Sequence, residues 1–311
     1  MTVSELDREL SLALGAEVTV IRREPAAYRS SHCLEDLVVR FENGETQRIV
    51  RKDLAAGALL AAAARAKPDF ALNPRREIDV YRHALTPLGV DAPRLLAGVA
   101  DDQSGCYQLL LEYVDGSPLW QIGDIDIWCD AAAWLGRLHR HAAPQTRSML
   151  AHDRRLWDEC LARALAVVPG ALDAVLADHE AICARLGQWP ASLIHGEFYP
   201  SNVIVTSDEM RLCVLDWEMA GHGPGVLDLA ALISGSGLHE NERERIVRSY
   251  HSAWHEAGGA GSLKSLREAL ICARIQVALQ WIGWSADWRP PAEHAHDWLS
   301  ETLAAASEFR R

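Results

Sequence analysis

The sequence predicts a two-lobed α+β fold, with a small antiparallel β-rich N-lobe and a larger, mainly helical C-lobe. Three observations carry that expectation. Short strand-like runs with alternating apolar residues occupy 17–53 and recur at 94–100 and 106–114. After Asp115-Gly116, Trp, Ala and Leu recur at helical spacing. Two short stretches, HGEFYPSN at 195–202 and LDWE at 215–218, then interrupt the helices and gather carboxylates on adjacent loops.

The first residues, MTVSELDRELSLALG, have a helical period. Strands are expected at EVTVIRR (17–23), LEDLVVRF (34–41) and TQRIVRKDL (46–54), with Glu42-Asn43-Gly44-Glu45 as the hairpin turn between the last two. The Ala-rich run 54–66 and RREIDVYRHAL (75–85) read as helical, and Pro74 suits a first helical turn. RLLAGVA (94–100) and CYQLLLEYV (106–114) supply two more strands. The C-lobe pattern gives helices at about 128–143, 154–165 and 172–187, strands at SLIH, NVIV and RLCVLD, and helices from 226 onward. The expected division is 1–113 and 114–311.

The 43 acidic against 31 basic side chains, a net charge of -12, argue against a nucleic-acid partner and suit Mg²⁺ or a cationic acceptor. The seven cysteines are scattered without a CxxC pair, and most are expected to be small buried thiols in a reducing compartment. The N-terminal residues lack a basic start followed by an apolar run, and no segment reaches the ~18 apolar residues of a membrane span. A cytoplasmic protein with no membrane partner is the expectation; oligomeric state is left open.

Asp216 and Asn202 offer a carboxylate and a carboxamide, an oxygen donor set that hard Mg²⁺ accepts while keeping several waters. Glu197, five residues before Asn202 on the same loop, is the candidate base facing an acceptor hydroxyl. Lys52, closing an alternating strand, is the candidate phosphate cation, and Glu77 on the next helix its partner. Each charge alone is more often solvated; the order Lys, Glu, HGE…N, DWE points to phosphoryl transfer.

With these residues in view, the chain resembles the aminoglycoside phosphotransferase and choline kinase-like family, relatives of the protein kinases. The resemblance rests on VRK at 50–52, REIDVYR at 76–82, PRLL at 93–96, LLEYVDG at 110–116, LGRLH at 135–139, HGEFYPSNVIV at 195–205 and LDWEMAGHGPGVLDLA at 215–230. It implies a protein kinase-like fold and an ATP- and Mg²⁺-dependent phosphotransferase acting on a small-molecule hydroxyl, with an aminoglycoside or other amino-alcohol as the nearest class. GTP in place of ATP stays open. In this resemblance Lys52 would hold the α and β phosphates, the backbone of Glu112 and Val114 would bind adenine, Asn202 and Asp216 would hold Mg²⁺, and Asp228 and His195 would brace the catalytic loop. Two departures stand out. Glu197 occupies a position that is most often Asp in the family, and the loop EPAAYRSSHCLED has no glycine, leaving the backbone N–H groups of Ser30 and Ser31 to approach phosphate. A kinase-like transfer to a Ser/Thr hydroxyl of a modified peptide, or a silent nucleotide-binding pseudokinase, are the alternatives.

Other signals read as structural. GGAGSLKS (258–265) lacks the glycine and preceding strand of a phosphate loop, and His251 and His255 lack a third metal ligand. Trp281, Trp284, Trp288 and Trp298 suit core packing better than an aromatic shelf. Asp115, Asp124, Asp126 and Asp130, with Asp287, Glu293, Asp297 and Glu301, are either a solvated acidic face or a selector for an amine-bearing acceptor.

Overall fold

In the computed structural model, residues 3–26, 31–144, 146–290, 292 and 295–311 are described. Helix α1 (Val3–Leu14) lies on one face of an antiparallel sheet formed by β1 (Val18–Pro25), β2 (Cys33–Phe41), β3 (Thr46–Asp53), β4 (Leu95–Asp101) and β5 (Cys106–Glu112), in the order β1-β2-β3-β5-β4. The hairpin between β2 and β3 turns at Gly44, whose φ of 84° is the left-handed backbone that glycine adopts without strain. Because side chains alternate along a strand, β3 serves two masters. Ile49 joins Leu6, Leu10, Val20, Leu37 and Leu110 in a small core under α1, while Val50 packs against the main core. Arg51 likewise turns to Glu9 on α1 (3.0 Å), and Lys52 turns the other way, into the interior.

The crossover from β3 to β4 departs from expectation. The Ala-rich run is helical only at α2 (Ala61–Ala66), after a short 3₁₀ turn at Ala56–Ala58. Alanine's helix propensity loses here to tertiary pairing: Leu60 N–H donates to Ser31 O (2.8 Å) and His32 bridges Leu59, which holds 59–60 extended. Helix α3 (Arg76–Val80) follows, runs through a π-turn at Tyr81–Leu85 into α4 (Thr86–Leu88), and stops at Gly89, φ 61°. Pro74 lies in the turn before α3 rather than inside it.

Beyond Glu112 come β6 (Gly116–Pro118), α5 (Ile125–Leu138), β7 (Leu150–Ala151), α6 (Arg154–Val167), α7 (Asp173–Leu186), β8 (Ala191–Ile194), β9 (Val203–Thr206), β10 (Leu212–Val214) and β11 (Gly221–Pro224). Four helices close the chain: α8 (Val226–Ile233), α9 (Glu240–Glu256), α10 (Leu263–Trp284) and α11 (Trp298–Phe309). The short strands form two small sheets, β10-β9-β6 and β7-β11-β8, which carry the interrupting loops. Asp124, Asp153, Ser262 and Asp297 cap α5, α6, α10 and α11 with their side chains. GGAGSLKS is thereby the loop and first turn of α10.

The main core does not break between the lobes. It runs from Leu109, Leu111, Ile78 and Tyr81 through Trp217 to α8 and α10. All seven cysteines are free thiols. Among the described residues, no helix is long and apolar enough to cross a membrane.

Candidate active site

The loop HGEFYPSN runs from β8 into β9 and LDWE leaves β10, the antiparallel partner of β9, so the β9–β10 pairing brings the two stretches together, with Leu215 N–H donating to Asn202 O (2.8 Å). Asp228, at the start of α8, accepts the N–H groups of His195 (2.7 Å) and Gly196 (2.8 Å) on its two oxygens. His139 Nε2 lies 3.1 Å from the same carboxylate, and against the burial that would raise it, His139 and His195 hold Asp228 below the usual carboxylate range. Gly196 has φ 86°, and a Cβ there would meet Met219 O at 2.4 Å, so the loop requires glycine. His195 Nδ1 accepts the Glu197 N–H (3.2 Å), which leaves Nε2–H to donate to Leu215 O (2.7 Å). Burial also lowers its pKa, so this imidazole is a neutral strut between the two loops.

Lys52 Nζ sits 2.6 Å from Glu77 Oε2 and 2.5 Å from Asp216 Oδ1. Burial opposes its charge, but Asp216 and Glu77 together hold it protonated far above the ordinary range. Burial pushes Glu77 up to about 7 despite Lys52. Glu77 Oε1 also accepts the Trp217 N–H (3.2 Å), tying α3 to the LDWE turn. Asp216 itself has φ 62°, uncommon for a residue with a side chain, and such strain persists only where the surroundings over-determine it. Asn202 Nδ2 donates to Glu197 O (2.9 Å). Asn202 Oδ1 and the carboxylate of Asp216 are oxygen donors of the kind that Mg²⁺ accepts.

Three residues that sequence reasoning missed complete the cluster. Lys67 Nζ lies 2.5 Å from Glu218 Oε1 and 3.6 Å from Glu197 Oε1. Arg76, 2% exposed, donates to the carbonyls of Ala71, Ser148 and Glu218 and so pins three segments together. Glu218 was legible as the second acid of LDWE; Lys67, at the end of an alanine run, carried no signal. The shared ammonium divides the two glutamates. Burial would raise both, but Lys67 and Lys52 hold Glu218 well below the carboxylate range, whereas Glu197, farther from Lys67, is pushed up to about 8.

Ser31 is buried, and its Oγ donates to Glu218 (2.6 Å); Ser30 lies outside the described residues. At the hinge, Glu112 N–H donates to Arg94 O (3.0 Å), so that donor is already engaged. Glu112 and Val114 border a cavity of about 350 Å³ with Asp91, Asp115, Arg211 and Cys213. None of Lys52, Glu197, Asn202 or Asp216 lines it, so it is separate from the charged cluster.

Several acids flagged in the sequence have structural partners: Asp124 and Asp297 cap helices, Asp126 meets Arg245, Asp287 meets Arg65, and Glu301 meets Arg274 and His296. Glu293 lies outside the described residues. His251 and His255 both turn Nε2 to Gly261 O (3.1 and 2.7 Å). Trp281 packs on Trp284, Trp288 and Trp298 and also on Tyr199 of the HGEFYPSN loop (5.1 Å between centroids), so the indole cluster borders the charged cluster's loop.

A small β-rich lobe over a helical one, with a buried Lys–Glu–Asp cluster beside HGE…N, defines a kinase-like phosphotransferase. Residues 23–260 match the profile of the phosphotransferase enzyme family (APH), and the chain belongs to that family. Among solved structures it is similar to the choline kinase LicA from Streptococcus pneumoniae, at 16% identity over 99% of this chain and 98% of that one, with a TM-score of 0.65. It is also similar to a microcompartment-associated aminopropanol kinase (15% identity, 100% and 97% covered, TM-score 0.62). A third similar fold is the aminoglycoside phosphotransferase APH(3'')-Id from Streptomyces rimosus, in complex with ADP and streptomycin (18% identity, 83% and 92% covered, TM-score 0.52). No curated protein matches the sequence.

Proposed function

We propose that the protein transfers the γ-phosphoryl group of ATP, with Mg²⁺, to the hydroxyl of a small molecule, an amino-alcohol or aminoglycoside being the first class to test. The observation that carries this reading is the meeting of Lys52, Glu77 and Asp216 with the loop bearing Glu197 and Asn202. Lys52, already charged and held, neutralises the non-transferred phosphates. Asp216 and Asn202 would hold the metal, which would supply positive charge to the phosphate oxygens. The Val114 N–H and the Glu112 carbonyl receive the adenine edge. Glu197 orients the acceptor hydroxyl and takes its proton; its side chain is one methylene longer than the Asp common in the family, so the acceptor oxygen sits correspondingly farther from the loop. That several acids already have partners turns amine selection away from them and toward the indole cluster beside Tyr199.

The test is ADP release by purified protein with Mg·ATP against choline, ethanolamine, aminopropanol and a panel of aminoglycosides. One acceptor should raise turnover well above the hydrolytic background, and Glu197→Gln should remove that increment while ATP still binds. Transfer at the full rate in Glu197→Gln would end the assignment of the base, and failure to bind ATP or GTP would favour a silent member of the family.

A further inference from the structure

We propose that Lys67 is a second phosphoryl-binding residue of this site: with nucleotide bound, its ammonium contacts the oxygens of the group in transfer, between Glu197 and Glu218. The proposal rests on the phosphotransferase reading above and adds a residue that neither the motifs nor the comparisons assign.

Lys67 is anchored from the helical lobe. It follows α2, whose last carbonyls are gripped from the helical lobe: Arg163 Nη1 on α6 donates to Ala66 O (2.6 Å) and Arg65 O (3.3 Å). Pro68 then forbids continuation of the helix. Lys67 is therefore positioned by the lobe that carries Glu197, although it belongs to the crossover between β3 and β4. Its side chain is buried, with Nζ 3.3 Å from Ser31 Oγ and 5.7 Å from the Trp284 ring centre.

The two buried lysines divide the cluster. Lys52 serves Asp216 and Glu77, on the metal side. Lys67 serves Glu218 and Glu197, on the base side, and among the described residues no other cation pairs with Glu197. A phosphoryl group must travel from the first side to the second. Its transition state spreads negative charge over three equatorial oxygens, and bringing that charge against the Glu218 carboxylate, and against Glu197 when it is ionised to act as the base, is unfavourable without a cation between them. An ammonium has three donors. Glu218 takes the short contact, whereas the 3.3 Å and 3.6 Å contacts to Ser31 and Glu197 are long enough to be exchanged for phosphoryl oxygens. In the step, the bond from the γ-phosphorus to the β,γ-bridging oxygen breaks and its electron pair leaves with ADP. The acceptor oxygen bonds to phosphorus and its proton passes to Glu197. Lys67 keeps all its protons.

The test uses ADP, Mg²⁺ and aluminium fluoride, a mimic of the phosphoryl group in transfer that needs no identified acceptor because water completes it. In the wild type, fluoride should tighten ADP binding by about tenfold or more, read from the dissociation rate of a fluorescent ADP analogue. Lys67→Met should bind Mg·ADP within about threefold of the wild type yet lose the fluoride increment. Lys67→Gln, which keeps hydrogen bonds to Glu218 and Ser31 without the charge, carries the same expectation if the Met variant is unstable. Retention of the increment in either variant, or an equal loss of plain Mg·ADP binding, overturns the proposal and leaves Lys67 a structural neutraliser. Absence of the increment in the wild type overturns the transfer reading itself, and this inference with it.

Discussion

From His195 to Asp228 the chain is held by contacts written close to its own motifs: Asp228 grips the loop N–H groups, His195 spans to Leu215, and Asn202 folds back onto Glu197. From Leu54 to Leu72 the chain is held almost entirely from elsewhere. Arg163 grips the end of α2, Ser31 pairs with Leu60, Arg155 stacks over Phe70 and Arg76 takes Ala71 O. Both regions deliver a charge to one cluster. The first region carries its geometry in a short sequence, so its role is readable from spacing; the second has ordinary composition and acquires a role only by docking.

That contrast can be broken most severely at Asp216. Asp216→Ala removes an oxygen donor and one of the two partners of Lys52, and Mg²⁺-dependent ATP turnover should fall by about a thousandfold or more, with loss of the Mg²⁺-dependent thermal shift. An unchanged shift would detach the LDWE turn from the nucleotide site. Glu77→Ala is next. It leaves Lys52 buried with a single partner, and urea unfolding should report a loss of about 3–5 kcal/mol; a neutral outcome would mean that water reaches Lys52 readily.

A pH titration of stability sharpens the same side of the comparison. His152 is buried against Met219 O, and burial lowers its pKa to about 4. Its folded value is below the unfolded one, so the unfolded chain binds the extra proton first. Its contribution is present above about pH 6.5 and is lost as pH falls toward 4, reaching about 3 kcal/mol. His152→Gln should flatten that part of the profile, and an unaltered slope would place the acid sensitivity elsewhere. The smallest effect belongs to the second region. Arg163→Ala should cost about 1 kcal/mol in global stability while raising amide exchange specifically at 61–67, and uniform exchange across the chain would show that this segment does not depend on α6.

Much of the architecture was legible because local rules sufficed. The alternation in EVTVIRR, LEDLVVRF and TQRIVRKDL, the turn at Gly44 and the placing of Lys52 opposite Arg51 all follow from the two-residue period of a strand. The helical reading of 54–66 held at α2 and failed before it, because propensity is a weak prior against a bridge to His32 and a hydrogen bond from Leu60. At the site, Glu197, Asn202 and Asp216 were legible in two loops and Glu77 at a helix start. Glu218 was printed in the same motif without a role, since a carboxylate's part depends on which cation it meets.

The sequence by itself determined the strand and helix periods, the hairpin, the acidic balance and the order Lys52, Glu77, Glu197, Asn202, Asp216, because these are properties of neighbours along the chain. Tertiary structure alone decided that Lys67 and Arg76 join them, that Asp124, Asp126, Asp287 and Asp297 are spent on caps and ion pairs, and that the pKa of Glu197 is raised while that of Glu218 is lowered. The physical reason is range: periodicity and turn chemistry act over a few residues, whereas burial and Coulomb interactions depend on distances through space that no spacing in the chain encodes.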